Sequence, residues 1–285
     1  MNLPSAALLA QSVLSGIFIG ALYGLLGLGL SLSWGMLRQI NLAHFALAFL
    51  GAYLTYQLAS VAGWDPLATL LVIVPCFFAF GVLMHWLFAR FSISPFNSLL
   101  VTFGLTVIIE SAIQWIWTAD PRMLDSAYGQ FKFKVGALYV PFPELLTLIL
   151  ATALSILAWA VLRYTDIGKA MRAAAEDAPT AAAFGVNERR LSLLLSGVSA
   201  AFAGVAGLCL ALSFSLAPSQ IYAWVGVVFA AVMIGGLGNP LGPLVAGIII
   251  GVSESLTMAI AAPAWAPLVS FSLLIAVLLA RAEKI

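Results

Sequence analysis

Residues Thr165 to Arg190 read TDIGKAMRAAAEDAPTAAAFGVNERR and separate two long apolar runs. With Arg163 just upstream, this polar segment holds five of the chain's twelve Lys and Arg residues and four of its eleven acids. Its alanine runs favour helix, because alanine has the highest intrinsic helix propensity. We therefore predict short surface helices between two membrane-spanning helices, placed to hold a cytoplasmic partner.

The composition of the whole chain is that of a membrane protein. Its 285 residues are 63% hydrophobic and 8% charged, with a mean hydropathy of +1.11, whereas soluble domains have about 25% charged residues. A formal net charge of +1 argues against a nucleic-acid partner. The sequence offers no recognisable metal-ligand cluster and no Ser/His/Asp arrangement, so no metal site and no catalytic residue is predicted.

The apolar runs set the predicted architecture, since a spanning helix needs about 20 mostly apolar residues. The candidate spans are residues 8–34, 42–60, 67–88, 96–117, 145–162, 191–214, 222–234, 241–262 and 268–279. The run at 222–234 is short and leads into a Gly/Pro-rich stretch, as broken helices of transporters do. The sequence predicts an all-α polytopic membrane helix bundle of about 8–10 spans in a single domain over residues 1–285, with broken or re-entrant segments and a possible inverted repeat.

The Lys and Arg residues predict the orientation, because cytoplasmic loops carry an excess of them. The charges of the loop 163–190, with Arg281 and Lys284 near the C-terminus, place both in the cytoplasm. The loop 119–143 is then external. Within it, residues 131–140 alternate with period two around Gly136, which predicts a small hairpin. Nine full crossings would place the N-terminus outside.

The run 96–117 carries a polar stripe with a residue at every fourth position: Thr102, Thr106, Glu110, Gln114 and Thr118. This spacing places them along one slowly drifting helix face. A carboxylate at mid-span costs at least a few kcal/mol, so Glu110 must face the bundle interior, a partner subunit or water. Two interpretations stay open: a polar wall of a translocation path, or hydrogen bonding between helices with a proton retained on Glu110.

Glu254 is a second acid within an apolar run. Gly247 and Gly251 precede it at small-xxx-small spacing, which allows close helix packing. Because Glu254 adjoins that face, a packing role is preferred to a substrate role.

Another face of small or polar side chains lies in the run 42–60 and just before it: Asn41, His44, Ala48, Gly51 and Thr55. Asn41 is placed to cap the helix N-terminus, and Gly51 to allow close packing. His44 could contact a solute, although a hydrogen-bonded packing histidine is preferred. His85, near the end of its span, is predicted to be interfacial.

Three motifs resemble a known family. NLAH at 41–44 with GAY at 51–53 resembles the N-x-A-H…G-A-Y signature of branched-chain amino acid ABC transporter permeases of the LivH type. AMRAAAED at 170–177, continuing to GVN at 185–187, resembles their cytoplasmic coupling segment, and GGLG at 235–238 with GVSES at 251–255 resembles their C-terminal pattern. The resemblance covers residues 16 to 279. Phe45 departs from it, standing where the family has Gly, which predicts different packing of the second span or a narrower path.

The resemblance implies the permease subunit of an ABC importer in the bacterial inner membrane, moving a small polar organic solute such as a branched-chain or other amino acid. Its implied partners are a second, LivM-type permease, two ATP-binding cassette subunits, an external solute-binding protein and membrane lipid. The chain itself would be no enzyme and would bind no cofactor. The resemblance assigns ATPase coupling to Arg172, Glu176, Asp177, Ala181, Gly185 and Asn187. The predicted substrate path consists of Asn41, His44, Thr102, Thr106, Glu110 and Gln114.

The residues alone leave a rival function open. Glu110 and Glu254 could serve a proton- or cation-coupled secondary transporter or channel, since intramembrane acids are functional candidates.

Overall fold

The computed structural model describes residues 5–91, 94–261 and 263–282, and within them the chain is a helix bundle with one small antiparallel sheet. The helices are α1 Ala6–Leu37, α2 Ala43–Tyr56, α3 Leu70–Arg90, α4 Pro95–Trp117, α5 Phe142–Tyr164, α6 Asp166–Glu176, α7 Ala178–Ala183, α8 Glu188–Ser213, α9 Val225–Gly235, α10 Gly242–Ile260 and α11 Ala266–Ala282. The strands are β1 Lys132–Val135 and β2 Leu138–Pro141. The predicted all-α membrane bundle is confirmed.

Seven helical stretches among the described residues are long and apolar enough to cross a membrane. Helix α2 is shorter and continues into a π-helical turn, Gln57–Val61, and α11 is also short. Most of α2 is buried within the protein, so its length need not match the bilayer. With these two helices, the described residues form nine helical stretches in the bundle.

The predicted broken segment lies around α9. A 3₁₀ helix, Pro218–Trp224, leads into α9, and the chain then turns through Gly236 and Gly238, whose φ angles are +92° and +76°. The N–H of Gly238 donates to the carbonyl of Ser31, 3.0 Å away. The glycine-rich stretch is therefore a tight turn between two membrane segments, packed on the last turns of α1.

Helix α1 runs through the middle of the bundle, antiparallel to α10, and glycines let the two backbones touch. A Cβ atom added at Gly16 would lie 2.5 Å from Val252 Cα, and one at Gly24 would lie 2.6 Å from Leu244 Cα. On the other side of the bundle, α8 packs against α2 and α3. Such contacts matter in lipid, where helices associate through close packing rather than through the hydrophobic effect.

Contacts at the two ends of the bundle define its sides. At one end Gln11 of α1 bonds the backbone of Tyr139 in β2, and the Tyr128 hydroxyl donates to Asp65. At the other end Arg38, just after α1, donates to the carbonyl of Ala175 in α6. Burial, followed by the bonds to Asp65, raises the pKa of Tyr128 to about 12.

The predicted hairpin is confirmed, because β1 and β2 pair in the antiparallel sense with Lys132 opposite Pro141. Since the hairpin contacts the first half of α1, the start of α1 lies on the hairpin side and the polar segment on the opposite side.

Labelling of introduced cysteines tests the orientation. In a Cys76→Ala background, Lys169→Cys and Asn187→Cys are expected to react with a membrane-impermeant maleimide only after the inner face is opened. Asp125→Cys and Lys132→Cys are expected to react in intact cells, because they lie in the loop at the other end. The reverse pattern would overturn the orientation.

Candidate functional site

The polar segment folds as two capped helices. The Thr165 hydroxyl accepts from the N–H of Gly168 at 3.1 Å at the start of α6. At the start of α7, the Asp177 carboxylate accepts from the Thr180 N–H at 3.1 Å and from its hydroxyl at 2.6 Å. These bonds lower the pKa of Asp177, which keeps the carboxylate charged. Each cap satisfies backbone N–H groups that the helix leaves unpaired.

Gly185 ends α7. Its φ angle is +87°, and the N–H groups of Gly185 and Val186 donate to the carbonyls of Ala182 and Ala181. This pair of bonds is the Schellman motif, which favours glycine because the left-handed conformation penalises a Cβ atom. Asn187 then caps α8, its side-chain oxygen accepting from the Arg190 N–H at 3.0 Å.

The inner face of the polar segment is fastened to the membrane helices. A Cβ atom at Gly168 would lie 2.6 Å from the carbonyl oxygen of Leu162 in α5, and Met171 is buried. The Arg38 guanidinium donates to the Ala175 carbonyl at 3.1 Å, which joins the end of α1 to α6. The segment is therefore in direct contact with both α1 and α5.

Five of the six predicted coupling residues are exposed: Arg172, Glu176, Asp177, Gly185 and Asn187. Ala181 is buried instead, so its side chain packs inward and is not available to a partner. Phe184 is 86% exposed at the tip and was not predicted. A lone aromatic among Ala and Gly in a polar loop was the signal that could have identified it.

The polar stripe of α4 does not stay on one face. Thr102 and Thr106 are buried, and their hydroxyls donate to the carbonyls of Ser98 and Thr102 in the same helix. Thr102 also accepts from the N–H of Leu42. Four residues of helix turn through 400°, so each step drifts by about 40°, and the later members of the stripe leave the buried face.

Glu110 therefore lies at the edge of the chain rather than in its core. Its carboxylate accepts from the Tyr222 hydroxyl at 2.8 Å and from the Gln114 amide at 3.3 Å. Gln114 is exposed. Tyr222, in the 3₁₀ helix before α9, was not predicted as a partner, because no sequence periodicity relates it to α4.

Asn41 and His44 occupy different environments. The prediction that Asn41 caps α2 is wrong: Leu42 precedes the helix without a side-chain cap, and Asn41 Oδ1 is buried with no partner in the described part of the chain. His44 is 1% exposed, and its Nε2 lies 2.9 Å from the Leu26 carbonyl oxygen. Phe45 stacks on Phe229, with ring centroids 6.1 Å apart, so it fills space between α2 and α9.

The predicted packing glycines lie at helix contacts. A Cβ atom at Gly51 would lie 3.2 Å from Gly204 Cα of α8. In α10, one at Gly247 would lie 2.5 Å from the Gly20 carbonyl oxygen, and Gly251 faces α1 at a similar distance. Each side chain would push one backbone away from another.

Glu254 joins three helices. It is buried and accepts from the Tyr23 hydroxyl of α1 at 2.9 Å and from the Ser270 hydroxyl of α11. Each of its two carboxylate oxygens thus accepts a hydrogen bond from a neighbouring helix. None of these partners is shared with Glu110.

Glu254→Leu is expected to lower the free energy of unfolding by about 2–4 kcal/mol, because two buried hydroxyls lose their acceptor. Ser253→Ala is the matched control: among the described residues its hydroxyl donates only to the Ile249 carbonyl of its own helix, and a loss of about 0.5 kcal/mol or less is expected. Thermal unfolding in detergent measures both. Equal melting temperatures for the two variants would remove Glu254 from the packing.

The chain matches the family described as branched-chain amino acid transport system / permease component over residues 12–278. It is 27% identical to the high-affinity branched-chain amino acid transport system permease protein LivH of Salmonella typhimurium, covering 94% of this chain and 92% of the relative. The corresponding protein BraD of Pseudomonas aeruginosa is 22% identical, with 95% and 93% covered. A probable LivH of Methanocaldococcus jannaschii is 29% identical, with 86% and 80% covered.

No solved structure matches the chain at a significant level. The family match extends over nearly the whole chain, and its apolar helices are those of a multi-pass membrane protein. The chain therefore belongs to the family of permease components of branched-chain amino acid transport systems.

Proposed function

We propose that this chain is the transmembrane permease subunit of an ABC importer that moves branched-chain amino acids, the solutes named for its relatives. The observation that carries the proposal is the capped, exposed polar segment, which is tied to α1 by Arg38 and to α5 by Gly168. Such a segment can receive a movement from a soluble partner and pass it to helices in the membrane.

The proposed assembly contains a second permease of the LivM type, two ATP-binding subunits and an external solute-binding protein, in the bacterial inner membrane. ATP hydrolysis is assigned to the partner subunits, because the glycine-rich stretch 235–242 lacks the Gly-Lys-Ser/Thr of a Walker A motif and forms a turn. The hairpin of β1 and β2 carries Lys132 and Lys134 on one face, and this face is proposed to seat the acidic rim of the binding protein.

In the proposed cycle, closure of the ATP-binding subunits displaces α6 and α7. The displacement reaches α5 through its close contact with Gly168, and reaches α1 through the Arg38 bond to Ala175. Helix α1 is rigidly coupled to α10 by backbone contact. The α1–α10 pair therefore moves as a unit. Its tilt against α2 and α8 is proposed to open the solute path to one side of the membrane and then to the other.

The solute path is proposed to run along the edge that holds Glu110, Gln114 and Tyr222. Elsewhere α4 exposes large apolar side chains such as Ile108 and Trp115. Because Glu110, Gln114 and Tyr222 form a polar group on an otherwise apolar surface, we propose that a second permease covers this face. The buried residues Thr102, Thr106, Asn41 and His44 are proposed to shape the inner wall behind it.

Glu110→Gln is expected to slow solute uptake about threefold to tenfold, because the amide preserves shape and hydrogen bonding but removes the charge, at a cost of about 1 kcal/mol. Ser111→Ala, at the neighbouring exposed position, is the control and is expected to transport at the wild-type rate. Uptake into proteoliposomes measures both variants. A wild-type rate for Glu110→Gln would exclude Glu110 from the path.

Reconstitution tests the proposed function itself. The complex is purified through a tag on this chain and placed in proteoliposomes with its binding protein, and uptake of radiolabelled L-leucine is followed. We expect uptake that requires internal ATP and is insensitive to ionophores. Uptake driven by an imposed pH gradient without ATP would instead establish a secondary transporter that uses Glu110 and Glu254.

A further inference from the structure

A cleft of about 530 Å³ lies between the polar segment and the inner ends of α1, α3 and α8. Its size is in the usual range for small-molecule sites. One wall is apolar and includes Phe88, Leu191 and Leu195. The lining also carries both signs of charge, with the Arg38 guanidinium and the carboxylates of Glu176, Asp177 and Glu188.

The charged groups of the cleft are only partly used by the protein. Asp177 is occupied as the cap of α7. Among the described residues, the side chains of Glu176 and Glu188 have no hydrogen bond or ion pair. The ion pair found there joins Lys169 to Asp166. Arg38 donates one of its N–H groups to Ala175, which leaves others to bind an anion, since a guanidinium has five donors.

The deep end of the cleft is polar and buried. His85 lies there, 8% exposed, and its Nδ1 has no hydrogen-bond partner within the described residues. His85 also lines a nook of about 10 Å³, together with Ser33 and Asn41. Ser33 Oγ and Asn41 Oδ1 are likewise buried and unpaired in the described part of the chain.

These unpaired atoms point to a ligand. Buried polar groups are nearly always hydrogen-bonded in folded proteins, because leaving them unpaired costs free energy. The nook has room for one water at most. A water there can bridge Ser33 Oγ and Asn41 Oδ1 to His85, but the nook is too small to hold a solute. The cleft is the space in which a solute can reach His85.

We propose that the cleft binds a zwitterionic amino acid with an apolar side chain from the cytoplasmic side, as the release site of the importer. The ammonium group pairs with Glu176 and Glu188, the carboxylate binds Arg38, and the apolar side chain lies against Phe88, Leu191 and Leu195. His85 and the bridged nook complete the polar contacts at the deep end. This assignment rests on the proposed function, which supplies the amino acid as solute.

The position of the cleft gives the site a consequence for the cycle. It lies between α1 and the polar segment, the two parts joined by the Arg38 bond. A bound amino acid therefore contacts both, and it must leave before the polar segment can move freely against α1.

Protection of a cysteine from labelling tests the site. Ser192 lines the cleft, whereas Ala183 is exposed on α7 outside it. Ser192→Cys and Ala183→Cys are made in the Cys76→Ala background, and the full chain is labelled with maleimide in nanodiscs, where both faces are accessible. L-Leucine at its dissociation constant is expected to slow labelling of Ser192→Cys about twofold, because half of the sites are then occupied, and to leave Ala183→Cys unchanged.

Two further probes test the recognition. Isoamylamine, which lacks the carboxylate, and isocaproate, which lacks the ammonium group, are expected to give no protection at the same concentration. Arg38→Gln and His85→Leu are each expected to raise the L-leucine concentration that gives half-maximal protection about tenfold or more. This is the factor in the dissociation constant for a lost interaction of about 1.4 kcal/mol. Protection that persists in both variants, or that isoamylamine reproduces, would overturn the zwitterion site.

A parallel measurement separates this proposal from the proposed function. ATP-dependent uptake of L-leucine by the reconstituted complex is followed on the same preparation. Uptake without protection of Ser192→Cys would reject the release site and leave the importer function standing. Protection without ATP-dependent uptake would support the cleft as an amino acid site and reject the importer function.

Discussion

Gly20→Ala is expected to destabilise the folded protein by about 3 kcal/mol, and Gly20→Leu to prevent its accumulation. The new Cβ atom would lie 2.5 Å from the Gly247 carbonyl oxygen and 2.5 Å from Ile248 Cα. Overpacking usually costs about 1–3 kcal/mol, and here the obstacle is backbone, which cannot rotate away as a side chain can. Because Gly247 and Gly251 meet α1 in the same seam, separating the helices at Gly20 also weakens the neighbouring contacts.

Gly104→Ala is the matched control for this prediction. Gly104 lies in α4, and a Cβ atom there would meet nothing within 4 Å, so the substitution is expected to be neutral or to stabilise the helix by about 0.5–1 kcal/mol. Membrane yield, the size-exclusion profile and the melting temperature in detergent are compared for the two variants. If Gly20→Ala melted with the wild type, the backbone contact between α1 and α10 would not be a determinant of stability.

Gly185→Val is expected to reduce ATP-driven uptake at least about tenfold while the permease still inserts and folds. A Cβ atom at Gly185 would meet nothing within 4 Å, so the substitution adds no clash. Its effect comes from the φ angle of +87°, at which a β-branched residue is a conformational outlier. The Schellman turn would open, and the exposed tip of α7 would no longer present the same surface to the ATP-binding subunits.

Gly185→Asn is the control, because asparagine is the residue that replaces glycine most readily at this position of the motif. We expect its uptake to be within about twofold of the wild type, the loss expected for a strain of a few tenths of a kcal/mol. Pull-down of the ATP-binding subunits and solute-stimulated ATP hydrolysis locate the defect. Unchanged pull-down and hydrolysis in Gly185→Val would show that the turn plays no part in docking.

Much of the fold was predictable because the bilayer imposes few choices. An apolar run of about 20 residues must form a helix in lipid to satisfy its backbone hydrogen bonds. The spans predicted at 67–88 and 145–162 correspond to α3 and α5, with ends that differ by a few residues. The two capped helices of the polar segment were likewise local features, since alanine, Asp177, Gly185 and Asn187 act through their own and adjacent turns.

The candidate site was less predictable wherever it depended on neighbouring helices. Four-residue spacing grouped Thr102 with Gln114, yet the first is buried and the second exposed. The stripe drifts around α4, and the packing of neighbouring elements such as α2 decides which part is covered. Asn41 precedes a helix and so resembles a cap, but its side chain turns toward the nook beside His85. Tyr222 meets Glu110 across 112 positions of sequence.

The sequence by itself determined that this protein is a multi-pass helical membrane protein with a capped polar segment of the family's kind, because propensity, capping and apolar length act over a few residues. The tertiary structure decided which glycines meet backbone, which acid is used in packing and which is left at an edge. It also decided that Arg38, His85 and Glu188 share one cleft. These outcomes depend on how helices distant in sequence are brought together, and close packing permits one arrangement where local pattern permits several.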